Sequence, residues 1–278
     1  MIRRGNFAPE PVISGMTMGR INMTIDGMRI FGACPDKMDP VNTYLEPNNL
    51  ESISVSYQPD GNTMGSTVGG GFDFKLKEAN LANTASWSGQ IGSRYQTNGN
   101  AVQTTGAIKY NSPEWAILVN GSYRQSGDYR AADRVKIPFS QYQKWNGNAA
   151  VKHALNKHQS LSLDYIQDET YNTGYPGLTM DVKYARTKIG SFSWLYQDNG
   201  KKLSYLQAKI YANVIHHAMD DSKRPRSQTP MHMDMSGKSI TCGVFLVAHW
   251  KVNKFNRLIA KAEVYQNNLH AEMTMYPE

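Results

Sequence analysis

Two short motifs, far apart in the chain, hold most of the ligand chemistry. In Cys34-Pro35-Asp36-Lys37-Met38 a thiolate and a thioether stand four residues apart, just ahead of Asp39-Pro40. In Ile215-His216-His217-Ala218-Met219 an imidazole and a second thioether stand two apart. In an extended chain that spacing is one face. His217 and Met219 therefore share a face with Gln207, Lys209 and Asn213, and Ala218 joins Ile210 and Val214 on the other. One cysteine, two methionines and one histidine form a soft donor set that suits Cu(I). Zinc rarely takes methionine, and hard Fe(III) or Mg calls for carboxylates. Taken singly, each piece has an ordinary reading: a small buried cysteine, a polar wall with a histidine in it. A third cluster is Pro230-Met231-His232-Met233-Asp234-Met235, expected in a long loop. Extended, it puts Met231, Met233 and Met235 on one face and His232 on the other, a candidate accessory site for capturing the ion. The alternative is a loop that tolerates apolar residues. His270, Met273 and Met275 are too loosely spaced to assign.

The elements around these residues read as strands. From about residue 84, segments of about 9–15 residues alternate with period two between turn-rich stretches. Trp115, Ile117, Val119 and Tyr123 oppose Asn120, Ser122 and Arg124; Leu161, Leu163 and Tyr165 oppose Ser160, Ser162 and Asp164. The same alternation gives about nine strands. Connections also alternate. Tight turns are expected at 111–114, 156–157, 197–200 and 252–254, and long polar loops near 126–143, 169–185 and 220–237. This pattern fits a transmembrane β-barrel, with tight turns on one side and long loops on the other. Trp87, Tyr95, Tyr110, Trp115 and Trp250, near strand ends, suit interfacial girdles. A soluble β-sandwich or an unrelated barrel also alternates. Cys242 has the parity of Val244, the outward face, and receives no ligand role. Residues 1–80 differ. They hold shorter β-like runs, a turn at Asp26-Gly27, and a Gly69-Gly70-Gly71 hinge into Phe72–Lys77.

Composition narrows the classes. The 278 residues carry a net charge of +7, but the positive residues are scattered rather than striped, so no nucleic-acid partner is expected. The one dense basic cluster, Lys223-Arg224-Pro225-Arg226, reads as a solvated loop. Two cysteines exclude a disulfide scaffold. No apolar run is long enough for a transmembrane helix, and Met1-Ile2-Arg3-Arg4 leads into no apolar leader core, so no signal peptide is expected in this chain. No phosphate loop, zinc-protease helix or nucleophile elbow is present, so an enzyme is not expected.

Residues 1–80 resemble the C-terminal part of the plug of TonB-dependent receptors. The matching stretches are Pro11-Val12-Ile13-Ser14-Gly15, Thr24-Ile25-Asp26-Gly27-Met28-Arg29, Pro47-Asn48-Asn49-Leu50-Glu51-Ser52-Ile53 and the exit Met64-Gly65-Ser66-Thr67-Val68-Gly69-Gly70-Gly71-Phe72. The resemblance implies an all-β chain: residues 1–80 as a plug remnant, and residues 81–278 as the first antiparallel strands of a barrel that is 22-stranded when whole. It implies a bacterial outer-membrane location, contact with outer-membrane lipid and lipopolysaccharide, and energy from a TonB–ExbB–ExbD complex. The chain departs from the pattern in three ways. Ser14 stands where the family usually has arginine, the first half of the plug and the TonB-contacting box are not in this sequence, and too few strands are present to close a large barrel. A fragment, a truncated reading frame or one piece of a split gene is therefore expected.

C-x-x-x-M in a plug with H-x-M in a barrel strand is similar to the copper-importing branch of that family. Cys34, Met38, His217 and Met219 match the branch's ligand motif. Its histidine segment usually reads Asp-His-x-Met-Asp-Asn; here His216 replaces the first Asp and Asp221 the Asn. The implied activity is import of copper, carried as Cu(I) between plug and wall. A receptor for an iron chelate shares the fold, and a small porin or adhesin remains a different class.

Overall fold

The computed structural model describes residues 2, 6, 9–34, 37–57, 65, 67–225 and 231–277. Its strands form two sheets. The smaller contains β1 (Asn22–Ile25), β2 (Met28–Arg29), β3 (Leu50–Ser56) and β4 (Gly71–Leu76), in the order β2-β1-β4-β3. Asp26 and Gly27 turn β1 into β2 with φ of 48° and 74°. Both are left-handed, the conformation a two-residue hairpin needs and one that Asp and Gly tolerate best. Neighbouring carboxylates fix the corner. Asp26 accepts the Leu76 N–H at 3.0 Å, and Asp73 accepts the Thr24 hydroxyl at 2.6 Å and the Gly27 N–H at 2.9 Å. Between β2 and β3 the chain runs without strand through two 3₁₀ turns, Val41–Tyr44 and Pro47–Asn49. Cys34 and Met38 lie on this segment.

The larger sheet has nine antiparallel strands in chain order. They are β5 (Ser86–Gln96), β6 (Ala101–Asn111), β7 (Trp115–Ser126), β8 (Tyr142–Asn156), β9 (Gln159–Thr173), β10 (Asp181–Gln197), β11 (Leu203–Asp220), β12 (Met231–Lys251) and β13 (Arg257–Pro277). Among the described residues the sheet is open, with β5 and β13 outermost. Consecutive strands pair because tight turns join them at one end and loops at the other. Two loops are shorter than the polar composition suggested. The β9–β10 connection is 174–180, and the β11–β12 connection is 221–230, of which 226–230 lie outside the described residues. Met231–Met235 is therefore the start of a strand, not loop. Its backbone pairs with β13 throughout and with β11 at Asp234 and Met235, and that ladder extends the strand through this segment.

Alternation along each strand separates two faces. On β11 the inward Lys209, Tyr211, Asn213, Ile215, His217 and Met219 are buried, while Ile210 between them is exposed. The expected parity of β7, β9 and β12 holds in the same way. The small sheet lies against the inward face, sharing one core: Ile25, Met28, Tyr44 and Phe74 on its side, and Ile166, Ile215 and Phe245 on the wall. Polar ties accompany this packing. Asn213 donates to the Arg29 carbonyl at 3.0 Å, and Arg29 reaches Glu263 at 3.4 Å.

Candidate metal centre

One carboxylate shapes the loop that carries the first pair of sulfurs. Asp39 accepts the backbone N–H of Ala33 at 2.9 Å, that of Cys34 at 3.1 Å, and the Tyr44 hydroxyl at 2.8 Å. The Lys37 N–H returns to the Cys34 carbonyl at 3.0 Å, closing a turn with Lys37 at φ 55°. Gly32 has to be glycine. A Cβ there would stand 2.8 Å from the Asp39 carboxylate and 2.9 Å from its carbonyl oxygen. Burial, with the Asp39 charge beside it, pushes the Tyr44 phenol well above its ordinary range, so it stays a donor. Pro35 and Asp36 lie outside the described residues.

The second pair sits on the wall. His217 and Met219 are both buried on the inward face near the end of β11. His217 is flanked across the sheet by Ala185 and Gly237, two small residues that leave room beside the imidazole. Gly237 also lets the loop backbone touch the wall, because a Cβ there would collide with the Ala33 carbonyl. Met219 is flanked by Val182 and Met235. Tyr175, in the β9–β10 loop, donates its hydroxyl to the Met38 carbonyl at 3.1 Å. Arg224 holds that loop in turn, donating to Asp181 at 3.0 Å and to the Tyr175 carbonyl at 2.9 Å, with its guanidinium over the Phe139 ring. Arg224 was expected in a solvated basic cluster; it is buried instead, because the Asp181 carboxylate neutralises it. Arg226 lies outside the described residues.

The two halves meet. Cys34, Met38 and Met219 belong to one buried cluster with Tyr175, Met180, Val182 and Met235. Met38 and His217 line one small cavity of about 10 Å³ together with Asp39, Tyr44 and Asp168. Neither ring nitrogen of His217 finds a hydrogen-bond partner among the described residues. Its closest carboxylate oxygen, on Asp39, is 3.9 Å from Nδ1, beyond hydrogen-bond reach. A buried imidazole left this way costs free energy, and a metal would satisfy it. No three of His, Cys, Asp and Glu gather into a metal-holding group among the described residues; Cys34, Met38 and Met219 bring sulfur to the buried cluster. Three sulfurs and an imidazole favour a soft ion. That cavity has room for about one small ion, Cys34 and Met219 lie outside its lining, and Cys34 borders a separate cavity of about 330 Å³.

Among solved structures, the chain is similar to the copper transporter OprC, with 22% identity and a TM-score of 0.87, covering 98% of this chain and 42% of that one. It is similar also to a double mutant of the Serratia marcescens hemophore receptor HasR in complex with its hemophore and heme (20%, 0.71, 92% and 38%). A third is the ferric citrate transporter FecA in its unliganded form (12%, 0.70, 99% and 43%). The fold is that of a partial TonB-dependent receptor. The chain matches no protein-family model and no curated protein. It spans about two fifths of the length of the receptor-fold structures above.

Within this receptor fold the third cluster splits. Met235 is buried in the sulfur cluster, Met233 packs against it, and Met231 is exposed at the strand start. His232 points the other way and comes within 3.4 Å of Asp221. The register also supplies what spacing did not. Met235 lies between Met219 and Met273, and Met233 faces Met275. The sequence gives no role to Tyr175, Met180 or Gly237, and marks Asp39 only as the residue after the first motif. Only Asp39, next to Met38, had a local signal.

Proposed function

We propose that this chain carries the ion-binding part of a TonB-dependent outer-membrane copper importer. Residues 1–80 act as the later part of a plug and residues 81–278 as the first part of the barrel wall. One observation carries the reading. Met38 and His217, from two distant motifs, line one buried cavity, Cys34 and Met219 lie in the sulfur cluster that adjoins it, and the imidazole nitrogens have no partner among the described residues. Cys34, Met38, His217 and Met219 hold Cu(I), two from the plug loop and two from the wall. The ion is cargo, and the chain does no covalent chemistry on it. Asp39 keeps the loop closed, and Tyr175 fastens Met38 from the wall side. The exposed outward side chains Phe192, Ile210, Val244 and Val264 supply the apolar face that a lipid setting requires. The tight turns then face the periplasm and the long loops the outside. Met231 and Met233, with Met235 behind them, form an accessory row on the outer side of the site. TonB, acting with ExbB and ExbD, moves the plug, separates the two pairs of ligands and frees the ion.

The test is a Cu(I) competition titration of the detergent-folded chain beside Cys34→Ser and His217→Ala. One tight equivalent is expected, weakened at least about 100-fold by either change, since even outer-shell partners of a metal carry 10–100-fold. Equal affinity in all three proteins would remove the shared site. A folded chain that binds no Cu(I) would turn the cargo question to an iron chelate.

A further inference from the structure

Cys34 belongs to two places at once. It lies in the buried sulfur cluster with Met38 and Met219, and it also borders the cavity of about 330 Å³ between the small sheet and β13. Among the described residues, no other member of that cluster lines this cavity. Met18 and Met23 are the other sulfur residues of its lining, which among the described residues holds no carboxylate and no imidazole. Its two cations are already engaged: Arg29 pairs with Glu263 at 3.4 Å, and Lys37 donates to the Met18 carbonyl at 3.1 Å. Much of the remaining wall is apolar, including Ile21, Ile30, Val41 and Leu269.

The cavity lies on the tight-turn side of the ion site. Its β13 residues are Asn267 and Leu269, whereas Ala271 is level with Gly237, the cross-strand partner of His217. Leu269 and Asn267 stand two and four residues nearer Arg257, the start of β13, roughly 7 and 13 Å along the strand. Two bonds fix the backbone of Met18. Its N–H donates to the Glu10 carboxylate at 3.0 Å, and its carbonyl accepts Lys37, which lies inside the Cys34–Met38 loop. Met23 is on β1, in the core of the small sheet. Cys34, Met18 and Met23 therefore all ride on the N-terminal unit, while His217 and Met219 belong to the wall.

We propose that Cys34, Met18 and Met23 form a second Cu(I) position, which receives the ion as the plug parts from the wall. The proposal rests on the copper reading above. The transfer is a ligand exchange that moves no electron and no proton. The bonds from Cu(I) to His217, Met219 and Met38 break, bonds to Met18 and Met23 form, and the Cys34 thiolate stays bound throughout. A soft ion keeps soft donors in this way. It does not enter an apolar cavity as an unpaired charge, which would be costly. The ion then travels with the N-terminal unit instead of falling back onto the wall.

The experiment titrates the detergent-folded chain with Cu(I) against a chromophoric competitor. Every protein carries Met231→Leu with Met233→Leu, which silences the outer methionines. His217→Ala with Met219→Leu then removes the wall donors and imitates the parted state. This chain should keep one Cu(I) equivalent, weaker than that of the parent. Adding Met18→Leu with Met23→Leu should lower the residual affinity at least about tenfold, the lower end of what even outer-shell partners of a metal carry. Adding Cys34→Ser should do the same. Adding Met28→Leu, at a buried methionine of the same sheet that does not line the cavity, should change nothing. Leucine for methionine conserves volume, and circular dichroism checks the sheet in each protein. Met18→Leu alone, at a half-buried position, gives the same comparison if the double change does not fold. No residual equivalent, or one indifferent to Met18, Met23 or Cys34, would overturn the proposal. A parent that binds no Cu(I) would sink the copper reading and this position with it. A tight equivalent in the parent, beside a residual one indifferent to Met18 and Met23, sinks the second position alone.

Discussion

A single methyl group at Gly237 should open the metal centre without harming the wall. The Cβ of Gly237→Ala would collide with the Ala33 carbonyl oxygen and stand 3.0 Å from its carbon. Both are backbone atoms, so no side chain can swing away. β12 is paired along both edges, to β11 and to β13. The loop holding Ala33 belongs to no strand and is tied by the Asp39 contacts, the Tyr175 hydroxyl and a bond from Lys37 to the Met18 carbonyl. The loop must therefore retreat. Cys34 follows Ala33, and Gly237 is the cross-strand partner of His217. The separation thus falls between the two halves of the ligand set. Overpacking of this kind costs about 1–3 kcal/mol, which corresponds to a loss of Cu(I) affinity of about 5- to 150-fold. Gly190→Ala is the control. Its Cβ would meet nothing nearer than the Asp164 carbonyl oxygen at 4.0 Å. Competition titration of both variants, with the β-sheet circular dichroism signal checked in each, reads the outcome. Unchanged affinity in Gly237→Ala, or an equal loss in Gly190→Ala, would show that the loop does not bear on the wall there.

Asp39→Ala removes the acceptor of two backbone N–H groups and of the Tyr44 hydroxyl. Unmade buried bonds cost about 1–3 kcal/mol each, so Cu(I) affinity should fall at least tenfold, with Asp39→Asn intermediate in the same titration. Lys144→Ala leaves Asp168 buried without its cation and Glu46 with Arg124 alone, each carboxylate having stood 3.0 Å from the ammonium. Urea unfolding should then report a loss of about 3–5 kcal/mol, and Lys144→Met combined with Glu46→Gln should recover part of it. Met231→Leu with Met233→Leu conserves volume and removes two thioethers. A second, weaker equivalent of Cu(I) should vanish from the isotherm while the tight one remains. Cys242→Ser, on the exposed outward face, should leave the titration unchanged.

Alternation made the wall legible, because a period of two fixes which side of a strand each residue faces whatever its partners are. That is why the inward placement of His217 and Met219 and the outward placement of Cys242 follow from the sequence. Strand ends were harder. Met231–Met235 reads as loop by composition, and its pairing with β13, joined by β11 at Asp234 and Met235, makes it strand. Register is also invisible locally. Nothing in the sequence puts Met235 between Met219 and Met273, or Gly237 opposite His217. The role of Asp39 is not legible locally, because it accepts backbone N–H groups that only the folded loop brings to it. Arg224 looked solvated because its partner, Asp181, is supplied by another loop.

The position of the centre has a mechanical consequence. The loop that offers Cys34 and Met38 is continuous with the segment that the wall grips most firmly. Tyr44 bonds Asp39 through its hydroxyl, and its carbonyl accepts Asn146 at 3.2 Å. Asn146 also donates to Asp168 at 2.8 Å, and Asp168 pairs with Lys144, which pairs with Glu46; Arg124 closes the set on Glu46 at 3.2 Å. An ion held by two donors on each side of this junction is thus backed by a buried charge network a few residues further along the same segment. Removing one member of such a network is expensive, since the remaining charge stays buried. A small drift of the loop would cost little at the network, but parting the ligand pairs fully would mean drawing Glu46 away from Lys144 and Arg124. The junction between the two sheets therefore resists spontaneous opening and yields to work applied to the N-terminal unit as a whole. That is the behaviour the proposed importer would require at its ion site.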